Sequence, residues 1–339
     1  MEMIGLLEKF VPEMIDLLEN RYNILRTIYK NQPIGRRMLA ERLELGERVV
    51  RGEIDFFKNR QMLCSDVNGV SLTPECEAVL YQMGELVHKM RGLAALEACL
   101  AEKMGLDKVF IVPGNLDEDH SVMQDLGRVA GHYVQKTVKD RWVVAVTGGS
   151  TMAEISNHIP EGPAKSGVLV VPARGGLGED VEIQANTIAA KIARRLGAAY
   201  RLLHIPDVIH GDALDKLLAE PRIEEIIGLN KKADLLLHGI GVPRVMAKRR
   251  ELDWDKLLDL AQKVPVGEAF GNYFSADGSV AMVTNTVGLK LEDLLKLKRV
   301  VAVAGGKSKT EAIVAVLKAG FVRVLITDQG AALKMQEII

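Results

Sequence analysis

The residues best suited to chemistry are Thr147, Gly148, Gly149, Ser150 and Thr151. They follow an apolar run at 142–146 and precede helix-forming residues from Met152. A strand, a glycine pair, hydroxyls and a helix start bring backbone N–H groups and side-chain oxygens to one point, which suits an anion and above all a phosphate. A capped βα turn uses the same residue types, so the motif gains weight from its companions. After the run at 168–171 come P-A-R-G-G-L-G-E-D and a helix containing Q-A-N-T-I-A. After 233–237 come H-G-I-G-V-P and A-K-R-R, and after 300–303 comes A-G-G-K-S-K-T-E-A-I.

The elements that must position these turns are short apolar runs at 109–112, 143–146, 168–171, 233–237, 300–303 and 322–326, separated by helical segments. That alternation predicts an α/β domain, Rossmann-like, with a parallel sheet covered on both faces. Ligands of such sheets bind beyond the carboxyl ends of the strands. Four glycine-rich turns on one edge, three with Arg or Lys nearby, point to a site for a small polyanion.

Other motifs are excluded on their own residues. Gly305-Gly306-Lys307-Ser308 has the tail of a nucleotide-binding P-loop, but Val301 stands where its first glycine is required. Gly176-Leu177-Gly178 lacks the third glycine of a dinucleotide turn. The acids Asp117, Glu118 and Asp119 beside His120 read as helix-start charge rather than a metal cluster. His88, His132, His158, His204, His210 and His238 form no metal-type pair. No metal and no catalytic set is expected. An isomerase- or deaminase-like enzyme is the rival reading, and it needs a second acid or base beside Glu268 that no motif supplies.

The first third has a different grammar. Residues 11–30 read as one or two helices with a buried stripe, N-Q-P-I-G breaks the pattern, and helices follow at 36–43 and 47–59. Val50, Ile54 and Phe57 share one face of the last. Its open face carries Glu47, Arg48, Arg51, Asp55 and Lys58. Asn68-Gly69 then marks a hairpin. A helix-turn-helix followed by a hairpin predicts a winged helix-turn-helix over about 15–75. Residues 21–60 hold ten Lys or Arg against five acids, net +5 in a chain of net −1. Arg48 and Arg51 are the candidates for base edges, Arg36, Arg37 and Lys58 for DNA phosphates, and Glu47 at the helix start completes the expected DNA-binding set. Thr73-Pro74 begins a helical pattern that runs, heptad-like, to about Lys103.

Composition sets the remaining bounds. At 339 residues, 48% hydrophobic and 26% charged, the chain accommodates two domains of ordinary globular type. Aromatic content of 4% argues against single-strand binding by stacking. Cys64, Cys76 and Cys99 have no zinc-type spacing and read as reduced thiols of a cytoplasmic protein. No secretion signal and no membrane-length apolar run is legible.

The pairing of winged helix and polyanion site resembles the SorC/DeoR-type sugar-responsive transcriptional regulators of bacteria, and within them the subgroup governing central glycolytic genes in Gram-positive species. A-V-T-G-G-S-T, V-P-A-R-G-G-L-G-E-D, H-G-I-G, A-K-R-R, G-E-A-F-G-N-Y-F-S-A-D-G and A-V-A-G-G-K-S-K-T-E-A-I carry the likeness over nearly the whole chain. The resemblance implies a repressor, not an enzyme, with a DNA-binding domain at 1–89 and an effector-binding and oligomerisation domain of the sugar-phosphate isomerase/deaminase type at 90–339. It implies no cofactor, a phosphorylated sugar effector (fructose 1,6-bisphosphate), and a homodimer or tetramer on double-stranded operator DNA. By motif, Gly148, Gly149, Ser150 and Thr151 would hold one phosphate, Ser150 standing where the family pattern has Thr. Arg174, Gln184, Arg249, Arg250, Glu268 and Lys309 would hold the sugar hydroxyls and second phosphate; the sequence leaves open which of Arg249 and Arg250 reaches the ligand.

Overall fold

The computed structural model describes residues 10–339 apart from Glu179, residues 208–212, Gln262 and Asn285; His210 and Glu179 therefore lie outside the described residues. The chain divides into two units, Met1–Ala94 and Ala95–Ile339.

In the first unit α1 (Pro12–Asn31) is one continuous helix. Helices α2 (Arg36–Leu43) and α3 (Glu47–Asn59) have the predicted bounds. Glu44 ends α2 in the left-handed region, its N–H returning to the Ala40 and Glu41 carbonyls, and Gly46 starts α3. Ile24, Leu25, Ile28, Leu39, Val50, Ile54 and Phe57 close one core with Leu63, Val70 and Leu72 of the hairpin. That hairpin pairs β1 (Leu63–Ser65) with β2 (Val70–Leu72). The Asp66 carboxylate ties its turn by accepting from the Asn68 and Gly69 amides. Thr73 caps α4 (Pro74–Met90) as predicted, accepting from the Cys76 amide at 3.3 Å. The helical pattern does not continue unbroken to Lys103. Gly92, at φ 65°, ends it, and α5 (Leu93–Met104) starts afresh. A heptad-like spacing survived in sequence because both helices bury one stripe.

The second unit is built on seven strands: β3 (Lys108–Val112), β4 (Val143–Val146), β5 (Leu169–Pro172), β6 (Ala199–Tyr200), β7 (Leu235–Gly239), β11 (Val300–Val303) and β12 (Val324–Asp328). All pair in parallel, in the order β3-β12-β11-β7-β4-β5-β6. The six predicted runs are six of these strands, shifted by at most two residues at an end. β6 was not anticipated, because two exposed residues carry no apolar run. The connecting helices are α6 (Val122–Thr137), α7 (Ser150–His158), α8 (Ala185–Leu196), α9 (Ala213–Leu218), α10 (Pro221–Lys231), α11 (Pro243–Arg249), α12 (Trp254–Leu260), α13 (Leu291–Leu294), α14 (Thr310–Lys318) and α15 (Gln329–Ile338). A separate antiparallel sheet, β8 (Gly267–Ala269), β9 (Asn272–Phe274) and β10 (Val280–Val283), was also not foreseen. Its β8–β9 turn places both Phe270 and Gly271 at positive φ, so the second position falls to glycine.

Strand order locates the ligand edge. From β4 the chain moves outward through β5 and β6, then returns to β7 and proceeds the other way through β11 and β12. The direction reverses between β4 and β7, and helices lead away on both sides. A crevice at such a switch point is where open parallel sheets bind ligands.

Candidate functional site

A cleft of about 230 Å³ opens at that crevice. Thr147, Gly148, Gly149, Ser150, Thr151, Arg174, Gln184, Arg249, Glu268 and Lys309 all line it. Arg250 does not.

One side is the start of α7. Gly149 occupies the N-cap at φ 117° and no side chain caps the helix. The first-turn amides of Ser150, Thr151 and Met152 have no intrahelical acceptor and carry the positive end of the helix dipole. Gly149 itself is committed, its N–H donating to the Ile183 carbonyl at 2.8 Å. A Cβ on Gly148 would stand 2.7 Å from the same oxygen. The glycine pair therefore lets the turn pass against residues 183–185, and the three following amides, with two hydroxyls, are what it offers an anion.

The floor is a buried ion cluster. Asp207 accepts from Arg174 Nε at 2.9 Å and Nη2 at 2.7 Å, and from Arg250 Nε at 3.2 Å. Glu268 Oε1 accepts from Arg250 Nη2 at 2.8 Å, the Gly271 amide at 2.7 Å and, weakly, Arg174 Nη1 at 3.4 Å. Arg250 Nη1 donates to the Tyr273 hydroxyl at 3.1 Å. Two guanidinium and two carboxylate groups balance in charge, so the cluster orients without attracting a polyanion by itself. Burial pushes the Glu268 carboxyl up, but Arg250 and Arg174 outweigh it and hold the group below its ordinary value. Glu268 is thus an anionic acceptor at neutral pH, suited to sugar hydroxyls. Arg250, its side chain fully buried, is a positioning residue behind the wall.

Arg249 and Lys309 line the cleft outside that balanced cluster, with Asp117 and Asp328 near enough to offset part of the Lys309 charge. Burial lowers the Lys309 pKa, Asp117 raises it, and the neighbouring Arg249 charge lowers it again. Two cations repelling each other in a cleft bind a dianion readily, because it removes both the repulsion and part of the desolvation cost.

Gln184 is engaged already. Its amide pins the glycine loop, Oε1 accepting from Leu177 N and Nε2 donating to the Leu177 and Gly178 carbonyls. It shapes the cleft through that loop. The rejected P-loop tail is equally committed, since Asp328 takes the Gly306 amide and Asp117 takes the Ser308 amide and hydroxyl. Of its neighbours, Asp119 receives Ser121 N and Oγ.

Sequence reasoning missed Asp207 and His238. Asp207 follows a strand too short to read, so nothing marked it. His238 stands in the H-G-I-G motif but was weighed only for metal pairing. Its Nδ1 lies 2.9 Å from the Gly239 carbonyl, its ring packs against Phe270 and Phe321, and burial pushes its pKa down to about 4. Val245 and Met246 add an apolar wall.

In the first unit, Arg36, Arg37, Glu47, Arg48 and Arg51 are exposed and Lys58 is half-buried. Glu47 Oε1 lies 3.7 Å from Arg37 Nε, a loose surface contact. Arg21, counted among the basic residues of this segment, is spent internally on Glu53 at 2.9 Å and on the Phe56 ring. Of the cysteines, Cys64 is exposed, Cys76 buried and Cys99 half-buried, all unpaired. Burial and Glu77 push the Cys76 thiol up to about 11. No helix among the described residues is long and apolar enough to cross a membrane.

Comparison with known proteins agrees with both halves. Residues 17–87 match the CggR N-terminal DNA binding domain, and residues 88–336 match a sugar-binding domain family. The central glycolytic genes regulator of Priestia megaterium is 40% identical over 331 residues, covering 97% of each chain. That of Bacillus subtilis is 38% identical over 334 residues, covering 98% of each. A crystal structure assigned to a SorC family transcriptional regulator from Enterococcus faecalis aligns with TM-score 0.65 at 35% identity, covering 71% of this chain and 99% of that one. The full-length sorbitol operon regulator SorC of Klebsiella pneumoniae shares the fold at TM-score 0.64 and 16% identity, over 94% of this chain and 98% of that one. These relatives are regulators and not enzymes, and the chain belongs to the SorC/DeoR-type family of sugar-binding transcriptional regulators, with an N-terminal DNA-binding domain and a larger α/β sugar-binding domain.

Proposed function

We propose that this protein is a cytoplasmic repressor of central glycolytic genes whose grip on its operator is weakened by fructose 1,6-bisphosphate. The observation that carries the effector class is the pairing of an uncapped helix start, at Ser150, Thr151 and Met152, with two cations, Arg249 and Lys309, in one cleft. A bisphosphate offers two dianions to those two features, and Glu268 with Arg174 faces its hydroxyls. Likeness to the two central glycolytic genes regulators supports the target genes.

On the DNA side, α3 enters the major groove with Arg48 and Arg51 toward base edges, and Arg36, Arg37 and Lys58 contact phosphates. A (pseudo)palindromic operator is read by a homodimer, or by a tetramer of two such dimers. Glu47, at the start of α3, stands with them on the exposed face that meets the DNA.

The test is thermal shift against a panel of sugar mono- and bisphosphates, followed by release of bound DNA. Fructose 1,6-bisphosphate raises the midpoint as ln(1 + [L]/Kd). Arg249→Ala and Lys309→Ala lose most of that shift. A shift with monophosphates alone, or one indifferent to both substitutions, would assign the cleft to another effector.

A further inference from the structure

We infer that Gly52 is the point of closest approach between α3 and the floor of the DNA major groove. This rests on the reading of α3 as the groove helix, and adds a specificity-determining position that has no side chain.

The other described glycines of the first unit lie at helix or hairpin boundaries or against a neighbouring side chain. Gly35 and Gly46 start helices, and Gly92 ends one at φ 65°. Gly69 lies at φ 150° with a Cβ position 2.4 Å from the Ile34 backbone, and Gly84 abuts the Tyr22 hydroxyl. Gly52 sits in the middle of a thirteen-residue helix, without positive φ, and a Cβ there would meet nothing within 4 Å. A mid-helix glycine is unfavourable relative to alanine because it loses more backbone freedom on folding. The fold has no use for this one, so what excludes a methyl group comes from outside.

Its position says what that is. At about 100° per residue, Val50, Ile54 and Phe57 centre the buried stripe of α3, and Gly52 falls almost diametrically opposite. Arg48 and Asp55 flank it along the outward line, Arg51 and Lys58 lie to one side, and Val49, 55% exposed, lies to the other. A bare backbone at the centre of this ring lets the helix sink until the flanking side chains reach base edges. Any side chain at 52 would hold it off.

The experiment uses the full-length protein and a duplex enriched by the wild-type protein from a randomised pool. Gly52→Ala is expected to move two readouts in opposite directions. The melting midpoint rises, by about 4 °C for the first unit, while affinity for the enriched duplex falls at least tenfold. Affinity for an unrelated duplex at low salt stays within about twofold, because phosphate contacts do not require the deep position. Unchanged affinity for the enriched duplex would overturn the inference, as would a lowered midpoint, which would reveal an intramolecular need for glycine. Failure of the groove-helix reading looks different: the Arg48→Ala and Arg51→Ala variants would then bind the enriched duplex as wild type does.

Discussion

Two basic residues in the cleft, half-buried Lys309 and buried His238, respond to desolvation in the same sense, each with its pKa lowered. Lys309 is held below the ordinary lysine value of 10.5, so the unfolded chain keeps its proton more tightly than the folded one. Stability of the ligand-free protein therefore rises as pH climbs through that depressed pKa toward 10.5. Lys309→Met removes this partly desolvated charge. It is expected to raise the ligand-free melting midpoint at neutral pH, to flatten its rise with alkaline pH, and to abolish the bisphosphate-induced shift. A variant that melts lower and still responds to ligand would mean the ammonium serves the fold instead. His238 titrates on the acid side, at about 4 folded against 6.5 unfolded. Between those values the unfolded state binds more protons, so stability is full above 6.5 and is lost as pH falls toward 4. That difference corresponds to about 3 kcal/mol. His238→Leu should remove that part of the acid sensitivity, as read from denaturation midpoints across the window.

At the scale of elements, α11 separates two adjacent arginines. Arg249, the last residue of the helix, lines the cleft, while Arg250, its C-cap, turns inward to Asp207, Glu268 and Tyr273. Arg249→Met should lose effector response with an intact fold. Arg250→Met leaves two buried carboxylates sharing one guanidinium, with Glu268 reduced to the Gly271 amide and the 3.4 Å contact of Arg174, and should cost about 3–5 kcal/mol of stability. Denaturant titrations beside ligand titrations separate the two outcomes, and equal behaviour would deny the division. This division also marks what the sequence could tell. The strands and their turns were legible because parallel strands buried on both faces read as continuous apolar runs, as at Val143–Val146 and Val300–Val303. The winged helix was legible because its core stripe and its Asn-Gly turn are local signals. Consecutive Arg249 and Arg250 could not be told apart, since their directions depend on where a helix stops. Asp207 was invisible for a related reason: its partners Arg174 and Arg250 are 33 and 43 residues away, and only the folded sheet edge gathers them. The β8–β10 sheet was hidden because its strands hold three or four residues each and turn on a Phe-Gly pair.

At the scale of the whole molecule, the chain joins a sugar-binding domain to a DNA-binding domain, and regulation requires a coupling free energy between them. Such couplings are typically about 1–3 kcal/mol, roughly 5- to 150-fold in affinity. Thermodynamic linkage makes that factor reciprocal. If fructose 1,6-bisphosphate weakens operator binding by some factor, saturating operator DNA must weaken fructose 1,6-bisphosphate by the same one. Both limbs are measurable on one preparation, by titrating labelled operator with protein at fixed effector and by calorimetric titration of effector into free and DNA-bound protein. Equal factors place the whole effect in one coupled equilibrium. Unequal factors would mean that effector binding also changes the number of subunits on the DNA, because assembly then adds a concentration-dependent term to only one limb. Salt separates the contributions further. Replacing Arg36, Arg37 or Lys58 by alanine should each reduce the slope of log affinity against log salt by about one, without altering the effector-induced ratio. Removing Lys309 should leave the salt slope intact and collapse the ratio to one. That double dissociation, slope from the winged helix and ratio from the cleft, is what the proposed coupling between the two domains must display.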